Sequence, residues 1–110
     1  MNADADQGLL VYVSCPAAGA DALARALVEA RVAACVNVVP GVVSTYRWKD
    51  VVCCDDEALL VIKTQAARFE DLKREVLRVH PYELPEVIAL DVAAGHAPYL
   101  DWIAAGTPLA

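Results

Sequence analysis

The chain has 110 residues, of which 58% are apolar and 22% charged, and its formal net charge is −6. This length fits one domain, and the apolar share excludes a disordered or low-complexity chain. The acidic balance argues against nucleic acid and anionic membranes as partners and favours cations. Residues 1–8 are acidic and lack the basic and apolar regions of a secretion signal. We therefore expect a flexible tail over residues 1–8, one domain over residues 9–110 and a cytoplasmic location.

The first half of the chain predicts a strand, a helix and a long second strand. The helix is indicated by Leu23, Leu27 and Ala30, which recur on one face at helical spacing. Asp21 suits the first turn of that helix, where an acidic side chain complements the helix dipole. In chain order, the predicted elements are a strand at 9–14, a helix at 19–32, a strand at 35–39, a bend or bulge at Pro40-Gly41 and an extended segment at 42–48.

The second half repeats the strand–helix–strand pattern. Its predicted elements are a turn at Lys49-Asp50, a strand at 57–64, a helix at 66–79, an irregular segment to Glu86, a strand at 87–92 and a short helix that begins near Pro98 and ends before Gly106. The longer helix has an apolar inner face made of Phe69, Leu72, Val76 and Val79. On its outer side, Glu70 and Arg74 are spaced to form an ion pair.

Two β-α-β units followed by a short helix predict an α+β fold, the ferredoxin-like split βαβ sandwich. In this fold both long helices cover the same face of an antiparallel sheet. The third strand is apolar on both faces at its centre, from Leu59 to Ile62. We therefore expect the uncovered sheet face to be apolar and to need cover that the two long helices do not provide.

The segment from His80 to Glu86 holds an imidazole, a phenol and two carboxylates between two prolines. It is either a preorganised polar site or a stiff connector with a surface histidine. A histidine nitrogen with a cysteine sulfur suits copper or zinc. Cys15 and Cys35 are otherwise small buried hydrophobic residues, and Cys53-Cys54 are a second soft-metal candidate or an exposed oxidation-prone pair.

The predicted hairpin carries Tyr46 and Trp48, which share a strand face, followed by Lys49 and, on the returning strand, Lys63. These aromatic residues form a binding surface, an interface, or core packing under a loop. No nucleophile elbow, glycine-rich phosphate loop or zinc-protease motif occurs in the sequence, so we predict no enzymatic activity.

Five motifs in order carry a resemblance to a known family. They are Leu27-Val28-Glu29 leading to Ala33-Ala34-Cys35-Val36-Asn37, then Ser44-Thr45-Tyr46-Arg47-Trp48-Lys49, Glu57 with Ile62-Lys63-Thr64, the segment His80-Pro81-Tyr82-Glu83-Leu84-Pro85-Glu86, and Tyr99-Leu100-Asp101-Trp102-Ile103. Over residues 9–103 the chain resembles the CutA divalent-cation-tolerance proteins.

The resemblance implies a compact homotrimer, similar in architecture to the PII signal-transduction proteins, whose extended hairpin reaches a neighbouring subunit. It also implies a role in the response to metal ions and binding of Cu(II) or another divalent metal, with Cys15 and His80 as ligands and no required cofactor. Some members of the family have two consecutive histidines where this chain has Val79 and His80, so one metal ligand is missing here.

Three functions are open at this point. The first is a metal-binding trimer that uses Cys15 and His80. The second is a PII-like trimer that binds an unidentified small molecule in clefts between subunits, and the third is a structural trimeric scaffold. The residues expected to line the clefts are Tyr46, Trp48, Lys63, His80, Glu83 and Glu86.

Overall fold

The computed structural model describes residues 7–109 of the chain. Its elements are β1 (Gly8–Cys15), α1 (Ala17–Glu29), β2 (Cys35–Trp48), β3 (Val51–Gln65), a 3-10 turn (Ala66–Arg68), α2 (Phe69–Val79), β4 (Ile88–Asp91) and α3 (Ala97–Gly106). Gly8 already belongs to β1, while residues 1–6 of the predicted tail lie outside the described residues. None of the helices in the described range is long and apolar enough to cross a membrane.

The four strands form one sheet in the order β2-β3-β1-β4, and every neighbouring pair is antiparallel. This is the strand order of the split βαβ sandwich, so the predicted α+β fold is confirmed. Each predicted strand and helix is present, and the Pro40-Gly41 bulge lies at the break in the β2–β3 register between Val39 and Val42.

The hydrophobic core lies between the sheet and helices α1 and α2. Burial alternates along β1, so Leu9, Val11, Val13 and Cys15 point into the core while the residues between them do not. The helices contribute buried side chains from one stripe each, namely Ala20, Leu23 and Leu27 from α1 and Leu72 and Val76 from α2. The buried residues of β1 recur at strand spacing and those of α1 and α2 at helical spacing, and both sets pack into one core.

The other face of the sheet is apolar and largely open. The β1–β4 register places Ile88 beside Tyr12 and Leu90 beside Leu10, and Ile88 and Leu90 remain 52% and 46% exposed. Helix α3 approaches this face only near one end, where Tyr99 lies beside Cys35. In the single chain these side chains lack the cover that the core face receives from α1 and α2.

The β2–β3 hairpin extends beyond the sheet as a two-stranded arm. The β1–β3 pairing ends at Cys15 opposite Ala58, whereas β2 and β3 stay paired to the end of the hairpin at Trp48 opposite Val51. The arm thus comprises residues 42–57, and β3 begins six residues earlier than predicted. Its turn, Lys49-Asp50, has positive φ at both residues, as expected for a tight hairpin turn.

Two predicted details of α1 are wrong. The helix ends at Glu29 rather than at residue 32, because Arg31 adopts a left-handed conformation with φ 60°. The backbone N–H of Val32 then donates to the carbonyl of Leu27, which closes the end of the helix. Ala30 is consequently exposed instead of lying on the inner face. The helix also begins at Ala17, so that Asp21 lies beyond its first turn.

Helix α2 differs from its prediction at its surface. Val79 is exposed at the last turn, because His80 leaves helical geometry before Pro81. Glu70 pairs with Lys73, three residues away, instead of with Arg74, which pairs with Asp71. Residues 66–68 form a 3-10 turn, so α2 begins at Phe69 rather than at residue 66. β4 covers only Ile88–Asp91, and α3 includes Gly106.

Candidate functional site

His80 is held by both ring nitrogens. It follows the last residue of α2 and is only 8% exposed. The backbone N–H of Tyr82 donates to Nδ1 at 3.1 Å, so Nδ1 carries a lone pair and Nε2 carries the proton, which it donates to the carbonyl oxygen of Ser14 at 2.8 Å. The His80 and Tyr82 rings lie 4.7 Å apart. A metal could bind His80 only if one of these two contacts were given up.

Cys15 lies at the end of β1, on the core face of the sheet, and is 2% exposed. Burial, and secondly the negative charge of Glu57, raise the pKa of its thiol. Cys15 is therefore a protonated, buried thiol in the single chain, whereas a metal binds the thiolate.

Glu57 is a buried carboxylate that is not among the predicted site residues. It is 6% exposed, and strand alternation places it on the face opposite to its buried neighbour Ala58. The Tyr82 hydroxyl donates to Glu57 Oε2 at 2.7 Å. Burial, followed by this hydrogen bond, raises the pKa of Tyr82. Glu57 thus ties the segment after His80 to the base of the hairpin arm.

Two further carboxylates surround this contact. Glu86 accepts a hydrogen bond from the Ser14 hydroxyl at 3.2 Å, and Asp55 accepts one from the Tyr46 hydroxyl. The bond to Asp55 is the main reason that the pKa of Tyr46 is raised to about 12. Tyr46 in turn lies near enough to Tyr82 to raise its pKa. Asp55, like Glu57, was not among the predicted site residues.

The structure brings together some of the predicted site residues and separates others. The polar cluster, as we call it below, consists of Ser14, Cys15, Tyr46, Asp55, Glu57, His80, Tyr82 and Glu86. Glu83 is exposed on the segment that supplies His80 and Tyr82.

Trp48 and Lys63 are far apart in one chain. Trp48 pairs with Val51, and Lys63 lies twelve positions further along β3, which at the rise of a strand is about 40 Å. The Lys63 ammonium donates to Asn37 and lies 3.9 Å from the sulfur of Cys35, while the Trp48 ring is covered by Lys49. Only an arrangement of several chains could place both residues in one cleft.

Within residues 7–109, no group of three or more His, Cys, Asp or Glu side chains is arranged to hold a metal ion. The thiol and imidazole of Cys15 and His80 match the ligand preference of copper, but neither is exposed in the form a metal binds. Cys53 and Cys54 are consecutive in β3 and therefore point to opposite faces, so they do not chelate one ion. A metal site on this chain needs a local rearrangement or ligands from another copy.

Two cavities of the chain lie away from the polar cluster. One, of about 340 Å³, is lined by Gln7, Ala66 and the residues 91–93. The other, of about 300 Å³, lies between α1 and the edge strand β2, at Val28 and Val36. Neither is lined by Glu57 or His80, so both cavities are separate from the polar cluster.

Comparison with known proteins finds a family that spans the domain. The sequence model of the family described as CutA1 divalent ion tolerance protein matches residues 9–106. The divalent-cation tolerance protein CutA of Thermus thermophilus is 51% identical over 85 residues, which are 77% of this chain and 82% of that protein. Protein CutA of Mus musculus is 48% identical over 93 residues, which are 84% of this chain. The chain spans about half the length of this mouse relative, 52%.

Solved structures give the same result. The divalent cation tolerance protein of Thermus thermophilus superposes with a TM-score of 0.89 at 45% identity, covering 92% of this chain and 99% of that chain. A structure described as PII-like protein CutA, from Nostoc sp. PCC 7120, superposes with a TM-score of 0.88 at 36% identity, covering 93% of this chain and 99% of that chain.

Proposed function

Because the chain belongs to the CutA1 divalent ion tolerance protein family, we propose that it is a homotrimer that takes part in the response to divalent metal ions and binds copper or a similar metal. The observation that carries this proposal is the family match over residues 9–106, nearly the whole described domain. The names of the Thermus thermophilus relatives refer to divalent-cation tolerance and not to an enzymatic activity. The cytoplasmic location stays a prediction from the sequence.

Two surfaces support the homotrimer. The open sheet face exposes Ile88 and Leu90, which water solvates poorly. The hairpin arm is a two-stranded ribbon with exposed Val43, Val51 and Val52, and an isolated ribbon of this kind is marginally stable in water. Packing the open faces of three copies together and placing each arm against a neighbour would bury both surfaces.

Metal binding is proposed at Cys15 and His80. When bound, copper would be held by sulfur and imidazole nitrogen, which are the donors it prefers. Of the two His80 nitrogens, Nδ1 has the lone pair that a metal needs, so metal binding competes with the hydrogen bond from the backbone of Tyr82. We therefore expect an exchangeable site of modest affinity rather than a permanent one.

Calorimetric titration of Cu(II) tests this site, with His80→Ala as the variant and His96→Ala as its matched control. His96 is the other histidine of the chain and lies exposed at the start of α3. The proposal predicts that His80→Ala weakens binding and that His96→Ala leaves it unchanged. Identical isotherms for the three proteins would contradict the assignment of His80.

The polar cluster favours a second candidate function, a PII-like trimer that binds a small molecule between its subunits. Tyr46, Glu83 and Glu86 would line such a cleft, with Trp48 and Lys63 supplied by other parts of the assembly. The fluorescence of Trp48, measured in a Trp102→Phe background that removes the second tryptophan, would report binding from a metabolite panel. A flat response to every compound would count against this function.

A further inference from the structure

Glu57 carries a nearly buried negative charge that takes no part in the proposed metal binding by Cys15 and His80. Its carboxylate is nearly buried, and its one hydrogen-bond partner among the described residues is the uncharged hydroxyl of Tyr82, on Oε2. Within residues 7–109 no Lys, Arg or His forms an ion pair with it. A largely buried carboxylate without a cationic partner is unfavourable, because it has lost most of its water and gained no opposite charge.

We propose that Glu57 is the anchor of a binding site for an organic cation, an ammonium or guanidinium group of a small molecule. The second carboxylate oxygen, Oε1, has no hydrogen-bond partner in the described chain and is available to such a donor. A charge-assisted hydrogen bond to Oε1 would give Glu57 the partner that the folded chain lacks.

The surroundings of Glu57 suit a positive charge attached to an organic group. The rings of Tyr82 and Tyr46 are partly exposed beside the carboxylate, and aromatic faces attract cations. Asp55 adds a second negative charge, held next to the site by the Tyr46 hydroxyl. The negative charges of Glu57 and Asp55 both contribute to the raised pKa of Tyr82.

The carboxylates of Glu57 and Asp55 are poorly suited to a divalent metal that prefers oxygen ligands. Metal ions such as Mg²⁺ and Ca²⁺ take six or more oxygen ligands. In the described part of the chain, no three side chains with metal-binding groups converge here. An ammonium or guanidinium group needs only one or two acceptors and an aromatic wall, which the polar cluster provides.

This inference rests on the second candidate function, since it names the chemical class of the small molecule, and it is independent of copper binding. The experiment is calorimetric titration of the full chain with agmatine, which carries a guanidinium and an ammonium group, and with n-butylammonium. Butylurea, a neutral analogue of the guanidinium group, is the control ligand. Glu57→Gln is the test variant, because glutamine keeps an acceptor for Tyr82 and removes the charge. Glu29→Gln removes one charge from an exposed residue at the end of α1, outside the polar cluster, and is the matched control.

We expect the wild-type protein and Glu29→Gln to bind at least one of the two cations with similar affinity, and butylurea not to bind. Glu57→Gln should weaken binding by about tenfold or more, the effect of losing one charge-assisted hydrogen bond. Equal binding by Glu57→Gln, or no binding of either cation by the wild type, overturns the proposal. Parallel Cu(II) titrations keep this result separate from the metal-binding proposal, because Glu57→Gln should leave a His80-dependent isotherm in place.

Stability without ligand is a second readout, and it distinguishes a ligand anchor from a purely structural residue. If a basic side chain of a neighbouring copy already pairs with Glu57 in the trimer, Glu57→Gln will lower the thermal midpoint and weaken assembly, which contradicts the proposal. If the site awaits a ligand, removing an unpaired buried charge will leave the midpoint unchanged or raise it.

Discussion

Tyr82→Phe removes a single hydroxyl group from the contact between the segment after His80 and the hairpin arm. In the wild type this hydroxyl donates to Glu57 at 2.7 Å, and Glu57 is 6% exposed. The phenylalanine ring keeps the packing against His80, where the ring centroids are 4.7 Å apart. The substitution therefore isolates the hydrogen bond from the packing.

The cost follows from what remains after the hydroxyl is removed. Glu57 would keep its charge in a nearly buried position with no hydrogen-bond partner among the described residues. Leaving a buried acceptor unpaired costs about 1–3 kcal/mol, and a charged acceptor lies toward the upper end. For a domain of this size, a loss of 1 kcal/mol lowers the thermal midpoint by roughly 4 °C or more.

Urea unfolding followed by circular dichroism measures this cost. All proteins must be compared at one concentration, since the stability of an oligomer depends on it. Tyr12→Phe is the matched control, because the Tyr12 hydroxyl makes no hydrogen bond to other described residues; it should change stability by less than about 0.5 kcal/mol. A Tyr82→Phe variant as stable as Tyr12→Phe would show that Glu57 does not depend on Tyr82, and the reasoning about the buried carboxylate would fail.

Further predictions concern the hairpin arm. Asp50→Gly should stabilise the protein by about 0.5–1 kcal/mol, because Asp50 has φ 67° and glycine adopts this conformation without strain; a lower urea midpoint would refute this reading of the turn. Gly41→Ala should destabilise it by a similar amount, about 1 kcal/mol, because Gly41 has φ 74°, and unchanged unfolding would contradict it. Asp55→Asn should lower the pKa of Tyr46 from about 12, since the carboxylate stabilises the neutral phenol, and absorbance titration at alkaline pH measures it. With a folded pKa above the unfolded value, Tyr46 contributes stability below about pH 10, which is lost as the pH rises toward 12.

The sequence was sufficient for the elements and their order because these depend on local patterns. The alternating burial of β1 and the helical stripe of Leu72 and Val76 follow the periods that the sequence displays. The predicted end of α1 is wrong because the left-handed residue that ends the helix is Arg31. Glycine is the usual residue at such a position, and this sequence has none there. The predicted β3 is too short because Asp55 and Asp56, which are uncommon in strands, interrupt the apolar pattern of its first part.

The candidate site was only partly predictable because its contacts are long-range. His80 was predicted from an unusual local segment, which also contains Tyr82, but their partners Ser14 and Glu57 are 66 and 25 residues away. Glu57 belongs to one of the motifs that carry the family resemblance, but the sequence does not show that its carboxylate is buried. Its burial arises from the tertiary packing of the segment after His80, and no local pattern encodes that.

The central claim, that the chain works as a trimer whose open faces are buried together, is tested most directly by sedimentation equilibrium at micromolar concentration. We expect a single species of three times the 11.7 kDa chain mass. Leu90→Lys, which places a charge on the open face, should shift that species toward smaller mass or unfold it. A wild-type protein that sediments as a folded monomer of 11.7 kDa would contradict the claim.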